Sequence, residues 1–417
     1  MQNIFKQIIW HPAHNQLVSL IKYPDFRNIW LTGIMQFAGM WIFIAVATWI
    51  AVEESGASRW PGIIAFCSLI PFLLFAPVAG FLADRYNRRN IILVSCIGNT
   101  LLSILITVDV LIGSLQLWHL ALVAFFSGVL RTMMDPAVHA LIPNQVEKKH
   151  VLNAITLYAA THHGSRFFGL LIGAPLLASG LALSLSDVNI VTGGVETVLI
   201  LSTVLTGFGS IFASLCSTVS YGEIDSVDKK GALHRETSYP NFYLFKQLRN
   251  VIDATSYFIR GMLAGVSFIY TNTIITVFII LVTFHCALVM SFESIMPIFS
   301  REFLGATDGS TLGYLSMSIG CGAIIGILLV SGVTKQHHKG YVLLLSAIGS
   351  GIAPILMALM QQTALAMLFA GLIGASTASF MAITHVYVIT LSPDKLRGRV
   401  NSLYALHAAG TMAFANL

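Results

Sequence analysis

Long apolar stretches, each about the length of a membrane-crossing helix, recur along almost all of the 417 residues. A hydrocarbon core of about 30 Å is crossed by roughly 20 residues of α-helix. The stretches predict ten complete spans, at 29–52, 60–83, 91–112, 118–141, 151–180, 189–216, 272–298, 311–333, 341–360 and 363–390, and an eleventh that begins at Val400. Only 10% of the residues are charged, which excludes a soluble enzyme. The sequence therefore predicts an all-α polytopic membrane protein.

Lysine and arginine residues are concentrated in alternate loops. With the N-terminus inside, 19 of the 23 lie in inner loops, two in outer loops, and two, Arg131 and Arg166, within spans. The positive-inside rule then predicts a cytoplasmic N-terminus. The formal charge of +5 reflects this topology, so no nucleic-acid partner is predicted. The start of the chain is too basic for a cleavable signal peptide, and the first span is expected to act as the targeting signal.

The five cysteines suggest neither a disulfide framework nor a metal site. They lie in or beside apolar stretches and show no CxxC spacing. No cofactor and no metal are predicted.

The longest polar stretch, 217–271, divides the chain and is predicted to be a cytoplasmic linker. Its second part, 243–259, has the pattern either of an amphipathic helix on the membrane surface or of an ordinary surface helix. The N-terminal segment 1–28 is predicted to be cytoplasmic or interfacial. The bundles are then expected at 29–216 and 272–417.

An internal repeat supports this division. The turns after the fourth and tenth spans carry one residue order, Pro143, Asn153 and Tyr158 in the first and Pro393, Asn401 and Tyr404 in the second. Such duplication predicts two related halves of six helices each. By this register the second bundle is expected to be incomplete, without most of helix eleven and without helix twelve.

The loop between the second and third spans carries the most informative motif, Gly80-Phe-Leu-Ala-Asp84-Arg85-Tyr-Asn87-Arg88-Arg89. It resembles the G-x-L-A-D-R-x-G-R-[RK] signature of the major facilitator superfamily. Asn87 replaces the usual glycine, and asparagine tolerates the left-handed backbone that such a turn requires.

Three further strings are similar to the transmembrane secretion effector branch of that superfamily, which includes enterobactin exporters. They are Phe26-Arg27-Asn-Ile-Trp30-Leu, Asp135-Pro136-Ala137 and Arg397-Gly398-Arg399-Val400. The resemblance implies a major facilitator fold, two six-helix bundles (6+6), in a multi-pass protein of the bacterial inner membrane. It also implies a monomer, surrounded by membrane lipid, that works by alternating access.

The loop motif predicts a conformational latch. Gly80 would let the second helix pack closely on a neighbour, and Asp84 would face the positive N-terminal end of the eleventh helix. Arg85 and Arg88 would pair with Asp135 at the inner end of the fourth helix, which would favour the outward-facing state. Alternatively, the arginines only determine topology.

Ionisable side chains at membrane depth are candidates for function. The resemblance links Arg131, in the fourth span, to proton coupling, although it could simply pair with Asp135 one turn later. Arg166 lies in the fifth span and His285 in the seventh. Glu293 is either a proton-carrying carboxylate or a boundary residue that reaches water.

A central cavity between the first, fourth, seventh and tenth helices would bring Gln36, Phe37 and Trp41 toward Arg131 and His285. An aromatic lining suits an amphipathic organic substrate. The same residue types are also ordinary in a membrane core.

In the fifth span, Gly169, Gly173 and Pro175 resemble a loosened form of the exporters' helix-five glycine–proline motif. The alternative is a stripe of small residues for helix packing.

These features predict a secondary transporter that exports a small amphipathic molecule, such as a drug or siderophore-like metabolite, in exchange for protons. The alternatives are a cation-coupled importer and a non-transporting sensor or scaffold. The sequence has no Walker, HExxH or GxSxG string, so neither ATP-driven transport nor enzyme activity is predicted.

Overall fold

The computed structural model describes residues 22–57, 59–147, 150–179, 194–216, 266–331, 336–393 and 397–417. Within these ranges the chain forms eleven long helices and no strand, which confirms the all-α prediction. They are α1 (Pro24–Ser55), α2 (Arg59–Arg85), α3 (Arg88–Leu111), α4 (Leu117–Gln145), α5 (Val151–Ala178), α6 (Val195–Leu215), α7 (Thr273–Leu288), α8 (Ser310–Ser331), α9 (Gln336–Ala358), α10 (Thr363–Leu391) and α11 (Arg397–Ala415). The predicted interfacial segment before residue 22 and the predicted linker helix at 243–259 lie outside the described residues.

In the described part of the chain, nine of these helices are long and apolar enough to cross a membrane. The two outside this group are α5 and α11, and α11 contains a shorter apolar stretch, Leu403–Ala415. In α5 the polar residues His162, His163 and Arg166 lower the mean hydropathy. That helix packs between others, where polar side chains find protein partners.

The apolar helical stretch Thr273–Ser294, within the seventh predicted span of 272–298, is long enough to cross a membrane, but the α-helix does not continue through the whole span. After α7 ends at Leu288, the chain forms a 3₁₀ turn at Met290–Ser294, a short helix at Met296–Ile298 and a π-helical turn at Phe299–Phe303. Pro297 contributes to the break, because proline cannot donate to a preceding carbonyl and its ring clashes with the helix backbone. Apolarity alone does not reveal such a change of helix type.

The helices form two bundles, α1–α6 and α7–α11, here called the N-terminal and C-terminal halves. In the first half, α1 packs against α5 and α6 and is buried along most of its length. In the second half, α10 packs against both α8 and α9. We call the end that holds the start of α1 and the α2–α3 turn the basic end, and the opposite one the distal end.

The two halves contact each other mainly through α5 against α8 and α2 against α11. Both contacts are tight toward the distal end. A Cβ atom on Gly320 would lie 2.6 Å from the backbone nitrogen of Phe167, and one on Gly62 would clash with the carbonyl oxygen of Asn416. On α2 near the basic end, a Cβ on Gly80 would meet no atom within 4 Å. Among the described residues, the close contacts between the halves on α2 therefore lie toward the distal end.

Candidate functional site

A buried ion pair joins the two halves at membrane depth. The Arg166 guanidinium on α5 donates from Nη1 to Oε1 of Glu293 at 2.6 Å. Only 5% of the Arg166 side chain is exposed, compared with 22% for Glu293. Arg166 Nη2 also lies 3.4 Å from the hydroxyl of Ser316 on α8. The guanidinium thus belongs to one half of the molecule, while its carboxylate and hydroxyl partners belong to the other.

The ring of Trp41 forms another face of this site. The Arg166 guanidinium carbon lies 4.3 Å from the ring centroid, close enough for a cation–π contact. Trp41 Nε1 donates to the backbone oxygen of His162 at 3.0 Å, which fixes the ring against α5. The predicted position of Trp41 beside Arg131 was therefore wrong, because this hydrogen bond holds the indole one helix face away.

The break after α7 places Glu293 in this arrangement. Glu293 lies in the 3₁₀ turn at Met290–Ser294, where the helix tightens before Pro297. The turn places the carboxylate within hydrogen-bond distance of the Arg166 guanidinium. Because Arg166 and Glu293 belong to different halves, their ion pair holds the two halves together at this point.

Arg131, the other membrane-embedded arginine, has a different environment. Its Nη1 lies 3.1 Å from the sulfur of Met40, and its Nε is 4.0 Å from Oδ2 of Asp135. The rings of Phe37 and Phe72 lie 5.6 Å and 5.3 Å from the guanidinium carbon. Arg131 is therefore flanked by aromatic faces, and the carboxylate of Asp135 lies beyond hydrogen-bond distance.

A small pocket of about 40 Å³ adjoins Arg131. Gln36 and Phe37 line it, as the sequence predicted, but α1, α3, α4 and α6 of the N-terminal half supply the walls. Gln36 also donates to the backbone oxygen of Thr206 on α6 at 3.0 Å. The pocket belongs to one half and is distinct from the predicted central cavity, whose lining by helices seven and ten stays a prediction.

His285 does not reach Arg131. Its ring stacks on Phe380 of α10 with centroids 4.3 Å apart, and Nδ1 lies 3.4 Å from the hydroxyl of Ser350 on α9. The predicted cavity role was wrong in this conformation, because the imidazole is enclosed by other helices of its own half.

The predicted latch is only partly described. The side chains of Asp84 and Arg85 lie outside the described atoms. Among the described residues, a Cβ atom on Gly80 would meet no atom within 4 Å, and its predicted packing role stays a prediction. Asn87 does not take a left-handed backbone, with φ of −62°, and instead caps α3 by accepting from the backbone nitrogen of Arg89.

Arg88 and Arg89 bind helix ends rather than Asp135. Arg88 Nη1 donates to the carbonyl oxygen of Ala140 near the end of α4 at 2.9 Å, and Arg89 Nη2 donates to that of Ser214 near the end of α6. Cations are favourable there, because carbonyl groups at a helix C-terminus carry partial negative charge. The pairing of Arg88 with Asp135, which was predicted for the outward-facing state, stays a prediction.

The α5 glycines show close packing at one of two positions. A Cβ on Gly169 would lie 3.0 Å from the backbone oxygen of Ala38 on α1. One on Gly173 would make only ordinary contacts, with Ile42 nearest at 3.5 Å. Pro175 lies inside α5 near its end without stopping the helix before Ala178.

Sequence reasoning missed three residues of these sites. Ser316 and Phe72 are ordinary residues of apolar helices, and no sequence signal distinguishes them. Arg301, assigned to an outer loop, donates from Nη1 to the carbonyl oxygen of Val52 at the distal end of α1, at 2.7 Å. Its position after an apolar run was the available signal.

Known proteins resemble this chain along nearly its whole length. The family model of the Major Facilitator Superfamily matches residues 29–416. The multidrug efflux pump Tap of Mycolicibacterium fortuitum is 20% identical over 91% of this chain and 83% of its own. The enterobactin exporter EntS of Escherichia coli is 22% identical over 93% of this chain and 82% of its own. The crystal structure of a D-xylose–proton symporter superposes with a TM-score of 0.66 at 11% identity, covering 94% of this chain and 89% of the symporter.

Proposed function

This chain belongs to the major facilitator superfamily and is a membrane transporter, and on that premise we propose that it exports a small amphipathic molecule in exchange for protons. The similarity to efflux pumps supports the direction. A membrane-embedded carboxylate that can bind a proton supports the coupling.

The proposal places the basic end in the cytoplasm. Arg88, Arg89 and the start of α1 lie there, and the positive-inside rule assigns such an end to the inner side. The conformation closed at the distal end then corresponds to the inward-facing state. A substrate would enter between the halves from the cytoplasm.

The single observation that carries the coupling is the Arg166–Glu293 pair between the halves. With Glu293 ionised, the pair stabilises distal closure, since breaking it would leave two unpaired charges in the membrane. Protonation of Glu293 removes the ionic attraction and lets the halves separate at the distal end. The partly exposed carboxylate is accessible for proton exchange.

Proton flux into proteoliposomes tests this proposal. The purified chain would be reconstituted with a pH-sensitive dye inside the vesicles and screened against lipophilic cations, neutral amphiphiles and aromatic acids. We expect at least one class to drive proton movement. In Glu293→Gln we expect proton movement to fall about tenfold or more, since a neutral amide cannot carry the proton.

Glu302→Gln is the matched control. Glu302 lies nine residues further along the same region, is 57% exposed and pairs with Arg301 at 3.8 Å. It should retain normal flux. Substrate movement with no proton movement would overturn the coupling, and so would full proton coupling in Glu293→Gln.

A further inference from the structure

The two membrane-embedded arginines differ in their protein partners. Arg166 has a carboxylate oxygen at 2.6 Å. The polar contacts that the structure gives Arg131 are a thioether sulfur and a carboxylate 4.0 Å away, and its buried Nε has no hydrogen-bond partner among the described residues. A thioether is a weak acceptor, whereas a guanidinium offers several strong donors. Arg131 can therefore bind further acceptor oxygens.

The surroundings of Arg131 suit an aromatic ligand. Phe37 on α1 and Phe72 on α2 present rings to the guanidinium. The adjoining pocket is mainly apolar, with the amide of Asn99 hydrogen-bonded to Ser127 on its wall. An apolar site with few polar groups beside a cation is typical of sites for amphipathic organic acids. Arg131 is also 24% exposed in its side chain, so a ligand can reach it.

We propose that Arg131, flanked by Phe37 and Phe72, binds the oxyanion of a soluble aromatic acid, and that such acids are the substrate class. The assignment of such acids as substrates rests on the proposed export function. A carboxylate or phenolate would accept from the guanidinium while its ring occupies the apolar part of the site. Asp135 competes with the ligand for the same guanidinium.

Equilibrium binding tests this assignment without requiring transport. The full purified chain in dodecyl maltoside would be titrated calorimetrically with 2-naphthoate, with the matched cation 2-naphthylmethylammonium and with neutral 2-naphthalenemethanol. We expect naphthoate to bind most tightly. Arg131→Gln should weaken naphthoate about tenfold or more, since charge-assisted hydrogen bonds are lost.

Two further variants separate ligand binding from a structural role. Arg131→Lys keeps the charge and should retain part of the affinity, while Asp135→Asn removes the competing carboxylate and should tighten naphthoate binding. Each variant must show wild-type thermal stability. A preference for the cation, or equal naphthoate affinity in wild type and Arg131→Gln, would overturn the assignment.

Two further measurements distinguish binding of a soluble acid from binding of a lipid headgroup, and ligand binding from proton coupling. If phosphatidylglycerol displaces naphthoate while phosphatidylcholine does not, the oxyanion comes from a lipid headgroup and the assignment to a soluble acid is overturned. Glu293→Gln should bind naphthoate normally. Normal binding in wild type without proton flux would therefore refute coupling while leaving the binding site supported.

Discussion

The first helices of the two halves, α1 and α7, differ in their continuity. α1 runs unbroken for 32 residues and ends at Gly56, whose φ of 63° closes the helix with a hydrogen bond to Val52. α7 ends after 16 residues and continues as 3₁₀ and π-helical turns. Their positions at the start of each half are equivalent, yet only α7 changes helix type within its predicted span.

The two helices contribute differently to the ion pair. α1 of the N-terminal half supports Arg166, and the turn after α7 in the C-terminal half supplies its carboxylate partner. α1 is deeply buried and holds Trp41 against α5, where the ring faces Arg166. The turn after α7 carries Glu293, which completes the pair. Helices with irregular turns frequently mark functional sites, because the backbone there has alternative hydrogen-bonding patterns. In the proposed function, the turn after α7 carries the group that takes up the proton, while α1 supports the arginine through Trp41.

The largest expected effect comes from removing the arginine between these helices. Arg166→Met should lower the free energy of unfolding by about 1.5–3 kcal/mol, because it leaves the partly exposed Glu293 carboxylate without its cation. Transport should be lost as well. The double variant with Glu293→Gln should recover most of the stability but no coupling. Thermal unfolding and proton flux of the three proteins check this.

Trp41→Phe is the matched change on α1. It removes the hydrogen bond to His162 and weakens the cation–π contact, for which about 0.5–2 kcal/mol is typical. Coupling should survive this change. A loss of stability as large as that in Arg166→Met would show that α1 contributes as much to the site as α7, and would contradict the division of roles.

The sequence was sufficient for the helical fold but not for these pairings. Apolar stretches predicted the spans, since most helices that cross a membrane are long and apolar. Arg166 and Glu293 were each singled out by the cost of charge at membrane depth. Their pairing was not predictable, because they lie 127 residues apart and meet only through packing of the two halves. The packing of Gly80 stays a prediction, since its neighbours depend on which end of the molecule is closed.

A change at Pro297 tests whether proton transport requires the irregular turns after α7. Pro297→Ala removes the ring that clashes with the preceding turn, so the helix can extend. We expect Glu293 to move away from Arg166 and proton flux to fall about tenfold, corresponding to about 1.4 kcal/mol. Proteoliposome flux and the helical signal in far-ultraviolet circular dichroism provide the measurements.

Pro354→Ala in α9 is the control for Pro297→Ala. Pro354 lies inside a helix that remains unbroken in the structure. Its replacement should leave flux near normal. If both alanine variants transport alike, the irregular turn is dispensable and α7 need not differ from α1 in function.

The smallest expected effect concerns a polar contact between α1 and α6. Gln36→Leu removes the hydrogen bond to the Thr206 carbonyl while keeping a side chain of similar size. Hydrogen bonds between membrane helices average about 0.6 kcal/mol, so thermal unfolding should shift only slightly and coupling should be unchanged.

The equivalent test on α7 is His285→Leu, which removes the longer 3.4 Å contact to Ser350. A loss of proton coupling in Gln36→Leu would mean that α1 takes part in the conformational change, because a helix that only supports the site tolerates the loss of one such bond.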